Sequence, residues 1–156
     1  MEARLDYYSN PIGAKFQKSI NAAARAVDGA ALPDGIPNLV LIRASQINGC
    51  GVCLDMHTKD AAHAGETAVR IAMVAAWRES TVFTEAEKAA LALTEAGTRL
   101  ADGEGVRDDV WDRARKHFDD DQLVGLVSII ALINAYNRMN AISQIPAGSY
   151  QPGQWG

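Results

Sequence analysis

Apolar residues recur along this chain at three- and four-residue intervals, the period of helices that bury one face. Asn10-Pro11 pairs a cap residue with a proline at the first helical position, and Ile12, Phe16, Ile20, Ala23 and Val27 follow as one stripe. Glycine and proline in 28–35 break the pattern. A second helix is predicted from near Pro37 through Leu39, Ile42 and Ile47, and Asn48-Gly49 interrupts it. A third carries Cys50 to about Ala64, with Gly65 as its stop. The fourth is expected from about Glu66 to Arg78, with Val69, Met73 and Trp77 on one side. Thr84-Glu85-Ala86-Glu87 reads as a capping box opening a fifth helix to about Leu100, its apolar side made of Ala90, Leu91, Leu93 and Thr94. After a loop at 102–105, a sixth runs roughly from Arg107 to Phe118. Asp119-Asp120-Asp121 puts acid at the start of a seventh, Gln122 to about Ile145, where the dipole favours it. Being the longest and most apolar, this seventh helix is expected to be central. No two-residue alternation is long enough for a strand, so the fold class is all-α, about seven helices in one domain over 1–156. The tail 146–156 is non-helical, and Tyr150 and Trp155 in it are expected to pack on the body or on another subunit.

Composition changes this picture little. A chain of 156 residues is one domain by length and buries roughly 70% of its unfolded surface. With 48% hydrophobic and 22% charged residues it is ordinary globular protein, which excludes overall disorder. The net charge of -4, with basic residues scattered, speaks against a nucleic-acid partner. No apolar run reaches the roughly 18 residues of a membrane span. The start MEARLDYYSN has neither the charged nor the apolar region of a signal peptide. The expectation is a soluble, cytoplasmic protein.

The candidate chemistry lies in Cys50 and Cys53, the chain's two cysteines. A single pair excludes a disulfide scaffold and a four-cysteine zinc site. On a helix Cys53 lies about 60°, and His57 about 20°, from Cys50, so the three share a narrow face, which Ala61 and Ala64 continue with small side chains. Cys53 and His57, at i,i+4, are about 6 Å apart along the axis, a spacing at which side chains meet; Cys50 and His57 are about 10 Å apart and do not. The two cysteines can reach one another to form a disulfide, and a helix N-terminus favours their thiolates. These pieces suit a redox cycle. Cys53, assisted by His57 with its near-neutral pKa, attacks a peroxide and becomes a sulfenic acid, which Cys50 resolves as a disulfide. An external dithiol then restores the pair. Zinc lacks a further ligand, since His63 lies about 120° around the helix from His57. Covalent haem needs a histidine where Leu54 stands, and a thioredoxin fold needs strands. Two buried cysteines beside an unrelated histidine remain the bland alternative. His63 and His117 receive no role, and no cofactor or metal is implied.

Leu39-Val-Leu-Ile-Arg43-Ala-Ser45-Gln-Ile-Asn48-Gly-Cys50-x-x-Cys53-x-Asp-Met-His57, with Trp77-Arg78-Glu79 and Phe83-Thr84-x-x-Glu87 downstream, resembles the carboxymuconolactone decarboxylase/alkylhydroperoxidase D (AhpD-like) superfamily. The resemblance implies an AhpD-like helical fold assembling as a homotrimer or homohexamer. It implies a thiol peroxidase in which Cys53 meets the hydroperoxide, Cys50 resolves it, and a lipoyl- or thioredoxin-like dithiol is the reductant. The glutamate that completes the proton relay in peroxidase members falls here on Asn38, which cannot take a proton at ordinary pH, and Val52 stands where a histidine is frequent. Asp60, or Glu85 or Glu87 from elsewhere, could substitute, although a solvated charge is the simpler reading of Asp60. Two other functions fit: a thiol–disulfide oxidoreductase or redox sensor, and a non-redox, ligand-binding or lactone-decarboxylase-like oligomer.

Overall fold

Four of the helices start at side chains that satisfy otherwise free N–H groups: Asn10, Thr67, Thr84 and Asp119. The computed structural model describes residues 2–103 and 105–154. They form α1 (Pro11–Ala26), α2 (Ile36–Asn48), α3 (Gly51–His63), α4 (Ala68–Met73), α5 (Glu85–Thr98), α6 (Asp108–Arg115) and α7 (Asp120–Ser143). Short 3-10 turns lie at Asp28–Ala30, Val74–Ala76 and Leu100–Asp102, and there is no strand among the described residues. Asn10 accepts from the N–H groups of Ile12 and Gly13 to open α1. The expected box at Thr84 and Glu87 opens α5, and Asp119 and Gln122 form a second one at the start of α7.

The central helix is α2 rather than α7. Ile36, Leu39, Val40, Ile42, Ala44 and Ser45 are each at most 2% exposed. Ile36 and Val40 pack with α5, α6 and α7, whereas Leu39 and Ile42 pack with Ala61, Val74, Trp77, Phe83 and Leu91. A helix apolar on several sides is a core helix, and Leu39-Val-Leu-Ile42 is such a run. α7 has apolar residues on more than one side but is covered on one: Leu123, Leu126, Ile130 and Ile133 are buried, while Val124, Val127 and Ile142 are exposed. The expected stripe of α1 is likewise uncovered, with Ile12 81% and Phe16 49% exposed.

The expected fourth helix does not run on to Arg78. It becomes 3-10 after Met73, leaving Val69 exposed and Trp77 buried. Glu95 on α5 gives a physical reason. Its Oε1 accepts from Trp77 Nε1 at 2.9 Å and from Arg43 Nε at 2.7 Å, and Arg78 pairs with its other oxygen. Burial works to raise the Glu95 pKa, but the bonds from Arg78, Trp77 and Arg43 outweigh it and hold the carboxyl below its ordinary value. A buried carboxylate needs such partners, and reaching it turns Trp77 and Arg78 off the α4 axis.

Candidate active site

α2 delivers the chain to the cysteines through Gly49. Its φ of +64° is the left-handed conformation glycine adopts cheaply. The N–H of Cys50 reaches back to the carbonyl of Ser45 at 3.1 Å, which closes α2. Cys50 is the N-cap of α3, Cys53 stands in its first turn, and the first helical bond runs from Leu54 N–H to the Cys50 carbonyl. The N–H groups of the first turn therefore point towards the sulfurs' end of the helix. Cys50 and Cys53 are joined as a disulfide with Cα atoms 5.3 Å apart, as the spacing allowed, and are 1% and 2% exposed. Val52 and Ile145 pack with them.

Three asparagines on α7, spaced three apart, hold this corner. Asn48, at the end of α2, donates to Oδ1 of Asn134 (3.0 Å) and of Asn137 (2.9 Å). Asn137 donates in turn to Ser45 Oγ at 3.0 Å. One helical turn on, Asn140 Nδ2 donates to Cys53 Sγ at 3.4 Å, and the Tyr8 hydroxyl donates to Asn140 Oδ1 at 2.5 Å. Tyr8 is carried there by an N-terminal segment lying on α1. A Cβ on Gly13 would sit 2.0 Å from the Tyr7 carbonyl oxygen, so that close approach requires glycine. Arg4 N–H also donates to the Ser143 carbonyl at the end of α7. Tyr8 and Asn140 escaped the sequence reading. The available signal was Asn134-x-x-Asn137-x-x-Asn140, three asparagines at three-residue spacing in the second half of a largely apolar helix.

His57 lies one turn after Cys53 on α3, half-buried, with no hydrogen bond to either sulfur among the described contacts. Burial pushes its pKa down to about 4, against a smaller upward pull from Asp60. The imidazole is thus neutral at ordinary pH rather than near-neutral in its titration. Asn38, in the first turn of α2, is half-buried and makes no hydrogen bond to His57 or to a cysteine. The other carboxylates are engaged elsewhere: Glu87 with Arg70 and the α5 cap, Glu85 with Arg113 and Lys88. Ala61 is buried under α2, but Ala64 lies past the helix end and is exposed.

The rest of α3 holds the C-terminal tail. Asp55 Oδ2 accepts from the N–H groups of Gly148 (2.7 Å) and Tyr150 (3.2 Å). Lys59, paired with Asp55, donates to the carbonyls of Gly148 and Tyr150. The Tyr150 hydroxyl donates to Asp60 at 2.8 Å, so Asp60 is a tail anchor rather than a solvated charge. The lysine hydrogen bond is the leading cause holding the Asp55 carboxyl below its ordinary pKa. Tyr150 is buried on the body as expected, and Trp155 lies outside the described residues.

Known proteins share the sequence pattern or the fold. The model of the carboxymuconolactone decarboxylase family matches residues 14–96, which include Cys50, Cys53 and His57. The uncharacterized protein YdfG of Bacillus subtilis (strain 168) is 40% identical over 150 residues, 90% of this chain and 93% of YdfG. ATU0492 of Agrobacterium tumefaciens, a protein of unknown function suggested to be the antioxidant defence protein AhpD, superposes with a TM-score of 0.87 at 32% identity, covering 96% of this chain and all of that one. The debrominase Bmp8 shares the fold at a TM-score of 0.77 and 17% identity, over 87% of this chain and 72% of its own. The CxxC corner at the start of α3, in an all-helical body matched over more than half its length, places the chain in the carboxymuconolactone decarboxylase family, among its AhpD-like members.

Proposed function

We propose that this protein is a thiol peroxidase that reduces hydroperoxides through a Cys50/Cys53 dithiol–disulfide cycle. The observation that carries this reading is the Cys50–Cys53 bond at the start of α3, which puts a resolving sulfur within reach of the attacking one. The Cys53 thiolate attacks one peroxide oxygen, the O–O bond breaks, and the alkoxide leaves as alcohol after taking a proton, giving a sulfenic acid. Cys50 then attacks that sulfur as a thiolate and displaces hydroxide, which leaves as water once protonated. An external dithiol, lipoyl- or thioredoxin-like, restores both thiols in two exchanges. A neutral His57 serves as a relay, accepting a proton on one ring nitrogen while giving one from the other. The likeness to ATU0492 supports a role in antioxidant defence. The functional unit in this reading is a homotrimer or homohexamer in the cytoplasm.

Trapping separates the roles. With cumene hydroperoxide, Cys50→Ser should accumulate a sulfenic acid on Cys53, detectable by a dimedone adduct, and Cys53→Ser should not. Equal, slow oxidation of both variants would overturn the assignment. The placement of Cys50 as N-cap favours one second reading, since a sulfur at a helix N-terminus also suits a thiol–disulfide oxidoreductase. Oxidation of the pair by protein disulfides and not by peroxides would select it.

A further inference from the structure

Cys53 is the sulfur of the pair that receives a side-chain hydrogen bond. Asn140 Nδ2 approaches it at 3.4 Å, while the Cys50 side chain makes no capping bond. An amide can present either its NH2 or its oxygen to a neighbour; the 2.5 Å contact with the Tyr8 hydroxyl has the length of an O–H···O bond, which suits Oδ1 on that side and leaves the NH2 to the sulfur. Tyr8 is itself placed by Gly13 and by the Arg4–Ser143 bond. Resting on the peroxidase reading, we infer that Asn140 is a catalytic residue that stabilises the Cys53 thiolate by donating a hydrogen bond to it, and that Tyr8 is the positioning residue that keeps the amide turned that way.

A donor aimed at sulfur gains strength as the sulfur acquires charge, so Asn140 favours the thiolate over the thiol. It favours the same species in both halves of the cycle. Towards peroxide, it enlarges the fraction of Cys53 present as nucleophile. During reduction, a thiolate of the external dithiol bonds to the Cys50 sulfur and the S–S electron pair leaves on Cys53. The second thiol of the reductant, as thiolate, then attacks its own sulfur and releases Cys50.

The ionisable groups on the elements around Cys53 make their hydrogen bonds and ion pairs to groups other than its sulfur. On α3, His57 is neutral above about pH 4, Asp55 is paired with Lys59, and Asp60 is bonded to Tyr150 of the tail. Burial holds the Tyr8 hydroxyl above its ordinary pKa, so it stays a donor. On α7, Arg138 is bonded to Asn134 and Tyr136 to Asn21; on α2, Arg43 is paired with Glu95.

The test reads the Cys53 pKa from thiolate absorbance at 240 nm in a Cys50→Ser background, where Cys53 is the one thiol. Adding Asn140→Ala should raise that pKa by about one unit, roughly a tenfold loss of thiolate below the midpoint. Asn140→Asp keeps the shape and the Tyr8 contact but replaces the donor with a carboxylate, and should raise it further. Tyr8→Phe leaves Asn140 in place and should shift it in the same direction by less. An unchanged Cys53 pKa in all three would overturn the inference even if Cys50→Ser still traps a sulfenic acid. Shifted pKa values in a protein that never reacts with peroxide would uphold Asn140 and sink the peroxidase reading instead.

Discussion

A neutral imidazole one turn from Cys53 cannot supply the positive charge that would hold a thiolate by ion pairing. Its contribution is directional, through a lone pair and one N–H, which is why the donor on Asn140 matters at the same sulfur. The depressed pKa also has a consequence for stability. Unfolded, His57 binds a proton below its ordinary value of 6.5; folded, it does so below about 4. Between those values the unfolded state holds more protons, so stability rises with pH across that window and the penalty is complete below pH 4. A shift of this size is worth at most about 3 kcal/mol. His57→Gln, which does not titrate, should therefore gain on the parent as pH falls from 6.5 to 4, measured by urea denaturation at several pH values. Parallel stability profiles for the two proteins would contradict a buried neutral His57.

At the scale of elements, helix starts were legible and the duties of exposed-looking side chains were not. Asn10-Pro11 and Thr84-x-x-Glu87 signal their helices because caps act within four residues. The early end of α4 depends on Glu95, some twenty residues away, and no local period encodes that partner. Asp55, Lys59 and Asp60 have the pattern of a solvated helix side, yet all three bind the tail. That tail is a strap over the redox pair: Ile145 packs on the cysteines, and Ala147 lies against the place a Cβ would take on Gly51. With both cysteines at most 2% exposed, access of the proposed dithiol to a sulfur would require this strap to lift. Asp55→Ala removes the acceptor for Gly148 and Tyr150 and the partner of Lys59. Losing about 1 kcal/mol of such bonding should populate the lifted form enough to speed disulfide reduction by dithiothreitol roughly three- to tenfold. An unaltered rate of thiol release in Asp55→Ala would mean that the strap does not limit access.

For the whole molecule, the sequence marks which residues form stripes but not what each stripe meets. α2 takes the centre because the run Leu39-Val-Leu-Ile42 presents apolar side chains on several sides, whereas α7 interleaves its apolar positions with the asparagines that hold the site. The stripe of α1 obeys the helical period as well as any in the chain, yet Ile12 and Phe16, four residues apart, face outwards. Apolar side chains on one side of a helix, left uncovered within their own chain, are the surface that a homotrimer or homohexamer of the proposed kind would bury. Charge placed there opposes assembly without touching the core, since both side chains project from the exposed side of α1. Ile12→Glu with Phe16→Glu should then sediment as a smaller species than the parent and retain its helical circular dichroism. The same variant should also keep the thiolate pKa of Cys53, because the N-terminal segment meets α1 at Gly13 through the Tyr7 carbonyl and Tyr8 reaches Asn140 through its hydroxyl, neither through the stripe. A parent that sediments as a monomer, or a double variant that keeps the parent's mass, would remove α1 from the interface.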